Sequence, residues 1–367
     1  MEDLVEGVLA DVYRGCSVLV TGHTGFKGSW LALWLTSLGA RVTGLALPPE
    51  TRPNHFELVG LPELVDHRVG DVRSWEDVIS AFRAAQPEVV FHLAAQALVR
   101  RSYREPKETF DTNVGGVVNV LEAVRSVGTV KACIVATSDK CYENREWVWG
   151  YRENDPLGGA DPYSASKGAA EIVAQAYRCS FFAPDAAGPN LGLATVRAGN
   201  VIGGGDWSPD RLVPDCVRAL CAGRPIRLRN PRATRPWQHV LEPLGAYLAL
   251  GGRLLADPAR FSGAWNFGPS EGESLAVGDL AALLAEAWGG GEVVYGEPDH
   301  DLPEAARLRL NCDKARLLLG WSPTWSAAEA VERTVAWYRR WREGEVHMRS
   351  VSLEQIARFT ADAGRGS

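Results

Sequence analysis

The short apolar run Ser17-Val-Leu-Val-Thr21 leads straight into Gly22-His-Thr-Gly-Phe-Lys-Gly28, and residues 29–38 then read as a helix. No other stretch limits the fold as tightly. Glycines repeated at every third position between a strand and a helix give a tight turn, close approach of the backbone to a diphosphate, and close packing of helix on strand. The anion would sit at the helix N-terminus, where unpaired N–H groups point outward. A dinucleotide-binding βαβ unit is therefore predicted, with Gly22, Thr24, Gly25, Phe26 and Gly28 in its phosphate turn.

Beyond this unit, apolar strands alternate with helical segments: strands at 41–45, 69–72, 89–94, 132–137 and 193–197, helices at 75–85, 106–127 and 162–181. That alternation predicts an α/β fold, a Rossmann-type doubly wound parallel sheet. After Asn200 the pattern changes to Gly203-Gly-Gly-Asp-Trp207, a helix near 212–222 and an arginine-rich stretch to Pro236. We read an NAD-binding Rossmann domain over 1–200 with a return segment at about 239–267, and a smaller interleaved C-terminal substrate-binding lobe over 201–238 and 268–345. The remainder, 346–367, reads as a tail, frayed from 361 onward. A chain of 367 residues is long enough to bury both cores.

An acid about 20 residues past the glycine turn would accept the ribose hydroxyls of NAD. Here Leu45-Ala-Leu-Pro-Pro-Glu-Thr-Arg52 has no acid at the strand end, and Glu50 is the substitute if the loop bends back. His23, Lys27 and Arg52 are what a 2′-phosphate would meet, so NAD is preferred with NADP as the alternative. Asp71 and Val72 are placed at the adenine, an ordinary strand-end Asp being the competing reading. Leu93, Ala94 and Ala95, in His92-Leu-Ala-Ala-Gln96, are small enough to let a cofactor lie across the strand ends.

Tyr163-Ser-Ala-Ser-Lys167 lies in the 162–181 segment, so Tyr163 and Lys167 share one helix face and the ammonium can stand beside the phenol. An unperturbed phenol, with a pKa of about 10, is a poor base at neutral pH and needs that cation and a hydroxyl partner. Ser138 is the candidate hydroxyl. It opens Ser138-Asp139-Lys140, which adds a carboxylate and a second ammonium. Alone, Tyr-x-x-x-Lys also describes a tyrosine packed on a solvated lysine, and Asp139-Lys140 a surface ion pair. Together with the glycine turn, the strings favour alcohol oxidation by Ser138, Asp139, Lys140, Tyr163 and Lys167.

A net charge of −6 without blocks of like charge argues against nucleic acid as a partner. The seven cysteines form no Cys-x-x-Cys pair and read as reduced thiols, with no metal site expected. No secretory leader and no apolar stretch long enough for a bilayer is seen, so a cytoplasmic, membrane-free protein is expected.

Thr-Gly-His-Thr-Gly-Phe-Lys-Gly, His-Leu-Ala-Ala-Gln, Tyr-x-x-x-Lys and Arg197-Ala-Gly-Asn200 resemble the extended short-chain dehydrogenase/reductases. Within that superfamily, Thr137-Ser-Asp-Lys-Cys-Tyr142, Asn144-Arg-Glu-Trp-Val-Trp-Gly-Tyr-Arg-Glu153, Arg197-Ala-Gly-Asn-Val-Ile-Gly-Gly-Gly-Asp-Trp207 and Arg235-Pro-Trp-Gln-His-Val-Leu-Glu242 resemble the CDP-D-glucose 4,6-dehydratase branch. The likeness runs over residues 17–341. It implies that NAD oxidises CDP-glucose at C4, that water leaves across C5 and C6, and that the hydride returns to C6. Tyr163, helped by Ser138 and Lys167, would take the C4 hydroxyl proton; Lys140 would be the C5 base and Asp139 the acid for the C6 hydroxyl. The dTDP-glucose relatives carry an acidic residue where this chain has Lys140. Gln96, Asn200, Arg211 and Arg235 are the candidate contacts to sugar and diphosphate. Trp147 and Trp149 fit a lid, a subunit contact or core packing. The family also implies a homodimer, or a dimer of dimers, built on two helices. Other nucleotide-sugar 4,6-dehydratases and 4-epimerases of the superfamily stay as alternatives, and a cofactor-sensing protein is disfavoured by the intact catalytic set.

Overall fold

Seven strands form the central sheet: β1 (Ser17–Thr21), β2 (Arg41–Ala46), β3 (Asp66–Val69), β4 (Val89–His92), β5 (Ala132–Ala136), β6 (Gly192–Arg197) and β11 (Gly263–Asn266). Between the last two come short strands that lie off the sheet: β7 (Val201–Ile202), β8 (Ile226–Leu228), β9 (Thr234–Arg235) and β10 (Gln238–His239). The sheet order is β11-β6-β5-β4-β1-β2-β3, and every pairing in it is parallel. The computed structural model describes residues 4–183, 191–270, 274–296 and 307–365. Strand order reverses between β1 and β4, which opens a crevice at their carboxyl ends where ligands of such sheets bind.

The inner strands β1, β4 and β5 are mostly apolar and buried because helices cover both faces, whereas the edge strand β3 is Asp-His-Arg-Val and largely unburied. Val18, Val20, Phe91, Ile134 and Ala194 face one buried cluster, whereas Leu19, Val90, Cys133, Val135 and Leu193 face the other. Helix Phe26–Ser37 is wrapped on all sides, with Trp30 and Trp34 at 0% and 1% exposure. Helix Leu241–Ala256 precedes β11 and packs beneath β5 and β6.

Several elements differ from their sequence expectation. The third strand is 66–69, not 69–72, because Asp71 turns away to give its N–H to Asp77 (2.9 Å) and its carboxylate to Arg73 (2.8 Å). An N-terminal helix, Leu4–Tyr13, is anchored by the Tyr13 hydroxyl donating to the Leu248 carbonyl at 2.8 Å. The tail is helix Met348–Ala363, with Val351, Ile356 and Phe359 buried. The fraying expected from 361 does not begin there: Asp362 accepts from the indole of Trp325 at 3.1 Å, which ties the last turn down. Residues 366–367 lie outside the described ones.

Under the carboxyl ends of β5 and β6 lies a dry polar knot. Glu171 and Arg197 pair at 2.7 Å with each side chain 3% exposed. Glu171 also accepts from Thr137 and from Thr195 (2.7 Å), and Arg197 donates to the Tyr142 hydroxyl (2.7 Å) and the Glu153 carbonyl (3.1 Å). Tyr142 then donates to Asn266 at 2.7 Å, so β5, β6, β11 and the helix carrying Glu171 share one network. Removing one partner of such a pair leaves a buried, uncompensated charge, at about 3–5 kcal/mol. Arg197→Met and Glu171→Gln should each lower stability by about that amount in urea unfolding, whereas the double replacement should lose less than the sum; additive losses would contradict the coupling.

Candidate active site

The glycine turn is built by contact as much as by conformation. A methyl group on Gly22, whose φ is +76°, would lie 2.7 Å from the Ala94 amide nitrogen, and one on Gly28 would overlap the Gly22 carbonyl. β1 and β4 are thereby drawn together at the crevice. Thr21 Oγ1 pins the same place, hydrogen-bonded to His92 Nδ1 (2.7 Å) and accepting from the Ala94 N–H (3.2 Å). Gly25 is the N-cap of helix Phe26–Ser37 and carries no side chain to cap it, so the amides of the first turn face the crevice unscreened. This cradle fits the diphosphate of a dinucleotide.

Helix Pro162–Tyr177 starts with Pro162 at its first turn and with the Asp161 carboxylate accepting from the Ser164 N–H at 2.9 Å. Those caps fix Tyr163 in the first turn and Lys167 one turn further in, both buried. Burial pushes the Tyr163 phenol up to about 12, against the lowering effect of the neighbouring Ser138 hydroxyl. Burial likewise drives Lys167 down to about 8, opposed by Glu171 one helical turn away. The Lys167 ammonium donates to the Ala136 carbonyl at 3.3 Å. The expectation that Lys167 makes the phenol a base is thus qualified: in the free enzyme burial dominates, and both groups are moved toward their neutral forms.

After β5 the chain turns sharply through Asp139–Cys141, a 3₁₀ turn capped by Ser138, whose Oγ accepts from the Lys140 N–H at 3.2 Å and donates to Asp139 Oδ1 at 2.9 Å. Asp139 is 3% exposed and its Oδ2 is buried without a hydrogen-bond partner. Lys27, from the glycine turn, is pushed down to about 8 by burial and by Arg211 and Lys167, with Asp139 acting against them. Lys27 thus stands among one carboxyl group and two further cations.

A single cavity of about 890 Å³ is lined by Gly22, Thr24, Gly25, Phe26, Gly28, Leu93, Ala94, Ala95, Ser138, Asp139, Lys140, Tyr163 and Lys167, together with Asn200, Arg211 and Arg235. Asp71 and Val72 border it beyond β3. Arg211 pairs with Asp206 at 3.0 Å, which orders its guanidinium. Gln96 lines the cavity, and its side chain also bonds to Leu98 and to Thr109 of helix Pro106–Phe110, which braces the segment after β4. His23 corrects a second expectation: it is fully buried, paired with His67 at 2.7 Å in the space left by Gly44, and does not face the cavity. Glu50 does line it, paired with Arg101 at 2.8 Å. Arg52 lies outside the lining. Trp147 packs at a tilt against Tyr151 (5.2 Å between ring centres) in a small separate core, and Trp149 is 61% exposed beside a different groove.

Sequence reasoning missed Glu171 and Arg197, although Glu171 stands four residues after Lys167 on the same helix face. It also missed Asp206, whose signal was only its place in a glycine-rich string.

The sequence model of the GDP-mannose 4,6 dehydratase family matches residues 19–250. A CDP-glucose 4,6-dehydratase of Salmonella typhimurium (strain LT2) is 50% identical over 91% of this chain and 93% of that protein. Among solved structures, the UDP-glucose 4-epimerase of Thermus thermophilus in complex with NAD is 28% identical, with a TM-score of 0.73, covering 88% of this chain and 98% of that one. The dTDP-glucose 4,6-dehydratase of Bacillus anthracis str. Ames in complex with NAD, at 20% identity and a TM-score of 0.74, shares the fold over 92% of this chain and 100% of that one. By these matches, with the parallel sheet and the Tyr163–Lys167 helix behind them, the chain belongs to the GDP-mannose 4,6 dehydratase family of the extended short-chain dehydrogenase/reductases.

Proposed function

We propose that the chain is an NAD-dependent CDP-D-glucose 4,6-dehydratase, a hydro-lyase yielding CDP-4-keto-6-deoxy-D-glucose and water for deoxysugar biosynthesis. The observation that carries it is the convergence of Asp139 and Lys140 on the cavity that holds Ser138, Tyr163 and Lys167, in a chain half identical to a CDP-glucose 4,6-dehydratase. Alcohol oxidation alone needs only the tyrosine set. The added acid and base fit elimination.

A dinucleotide held in the glycine cradle supplies the oxidising power, as the reservoir for a hydride that leaves C4 and is returned at C6. Tyr163, ionised in the cofactor-bound complex beside Lys167, accepts the C4 hydroxyl proton, with Ser138 in hydrogen-bonding range of the same site. The C4 ketone acidifies C5–H, and Lys140 removes that proton. Asp139 is the proton donor to the C6 hydroxyl as the C6–O bond breaks, and water leaves. Lys140 then returns a proton to C5, and the proton gained by Tyr163 balances the one lost by Asp139. Arg211 and Arg235 of the second lobe, with Asn200 at the end of the first domain, hold the nucleotide diphosphate and sugar.

The helices that continue past the active site leave Tyr103, Phe110, Ile172 and Phe181 at 37%, 39%, 58% and 38% exposure, which supports a homodimer through that face. No helix among the described residues is long and apolar enough to cross a membrane, and the soluble nucleotide substrate supports a cytoplasmic setting.

Incubation with CDP-, dTDP-, GDP- and UDP-glucose should give loss of one water from the CDP sugar, followed by mass, with no stoichiometric NADH released. Release of NADH would instead identify a simple dehydrogenase. Tyr163→Phe should lower C4 oxidation by about 10²–10⁴-fold, the usual worth of a positioned base. Lys140→Ala should keep that oxidation, seen as bound reduced cofactor, and lose elimination; undiminished dehydration by it would remove Lys140 from the mechanism.

Lys167 supplies a pH test. Its folded value of about 8 lies below its ordinary 10.5, so the buried charge costs stability below about pH 8, and that cost fades as pH rises toward 10.5. Lys167→Met should therefore be more stable than the parent below pH 8, with the gap narrowing up to pH 10.5 in urea titrations. A gap independent of pH would contradict the depressed value.

A further inference from the structure

The strings Arg197-Ala-Gly-Asn200 and Pro236-Trp-Gln-His239 contain two residues that the reaction steps above do not use, Gly199 and Gln238. Gly199 is buried at the mouth of β6, immediately before Asn200, the residue with positive φ (+48°). Gly199 itself has an ordinary φ, so its identity is not set by backbone conformation. It is set by space. A Cβ built there falls inside the Asp139 carboxyl group, overlapping Oδ2 and Cγ and lying 2.7 Å from Oδ1.

The segment that follows β6 is held by several hydrogen bonds. Gln238, 1% exposed, donates its side-chain amide to the carbonyls of Gly199 (3.2 Å) and Phe267 (3.1 Å), and its own N–H to the Asn200 carbonyl (3.3 Å). The Arg197 carbonyl accepts from the Phe267 N–H at 2.9 Å, and the Val196 carbonyl from the Thr137 N–H at 3.0 Å. On the opposite side, Asp139 is held at Oδ1 by Ser138 (2.9 Å), while Oδ2, buried without a hydrogen-bond partner, rests in the place a side chain at 199 would fill.

We propose that Gly199 is the positioning residue of the dehydrating acid: its missing side chain seats the Asp139 carboxyl group, and Gln238 clamps the strand so that the seat stays open. Any side chain at 199 turns Asp139 out of the cavity while leaving Tyr163, Ser138 and Lys167 on their own elements. Oxidation at C4 and loss of the C6 hydroxyl are thereby separable by one methyl group. This rests on the dehydratase reading above.

The test is Gly199→Ala beside Asp139→Asn, with CDP-glucose and NAD in D₂O. Both variants should keep C4 oxidation, measured as bound reduced cofactor, within about threefold, and lose dehydration by about 10²-fold or more. With Lys140 in place, the recovered sugar should gain deuterium at C5, the mark of proton removal without departure of the hydroxyl. A Gly199→Ala enzyme that dehydrates at a near-parental rate, or one that loses oxidation and elimination together, overturns the proposal. A parent enzyme inactive on every sugar nucleotide would instead count against the dehydratase reading. The steric claim then stands or falls on melting temperatures: Gly199→Ala should lower Tm in the parent and leave it nearly unchanged in an Asp139→Ala background. Equal losses in both backgrounds overturn it.

Discussion

The buried pair of Glu171 and Arg197 is the joint on which the site is assembled. Its carboxylate is four residues along the helix from Lys167, and through Thr137 it touches the residue before Ser138. Its guanidinium reaches Tyr142, just past the Asp139–Cys141 turn. The helix that carries the phenol and the turn that carries the acid and the second lysine are thus fastened to one ion pair, and β6 and β11 are fastened to it as well. Buried ion pairs are weak contributors to net stability, but they penalise any arrangement that separates them. That is a useful property beneath a site whose groups must hold relative positions from three elements.

Above this joint the electrostatics are lopsided. Lys27 lies close to Asp139, Arg211 and Lys167, and burial moves both lysines down toward about 8 while it moves Tyr163 up to about 12. Groups whose environments displace them toward neutrality are suited to passing protons in both directions. The cavity couples that cluster to a glycine cradle whose helix amides remain uncapped, so a diphosphate and a sugar can be held at once in one enclosure.

Much of this was legible in the chain. The glycine turn, the Tyr163–Lys167 spacing and the Ser138-Asp-Lys140 string each declare a local geometry, and local geometry survives into the fold. The parallel sheet follows from the alternation of apolar runs with helical segments. What escaped was set by contacts distant in sequence. His23 looked like a ligand residue in the turn and is instead packed against His67 across the missing side chain of Gly44. The C-terminal helix carries a weak pattern on its own, and becomes ordered because Phe359 meets Trp34 and Trp325. Gly199 read as one small residue in a motif, and only the fold brings Asp139 against it.

The central claim is an internal transfer: the hydrogen taken from C4 ends on C6 of the same molecule while water is lost. CDP-glucose carrying deuterium at C4, incubated with the enzyme and catalytic NAD, tests it most directly. The account requires the label in the C6 methyl group of a 4-keto product. Label released in free reduced cofactor, or retained at C4 of a sugar that has lost no water, would contradict it.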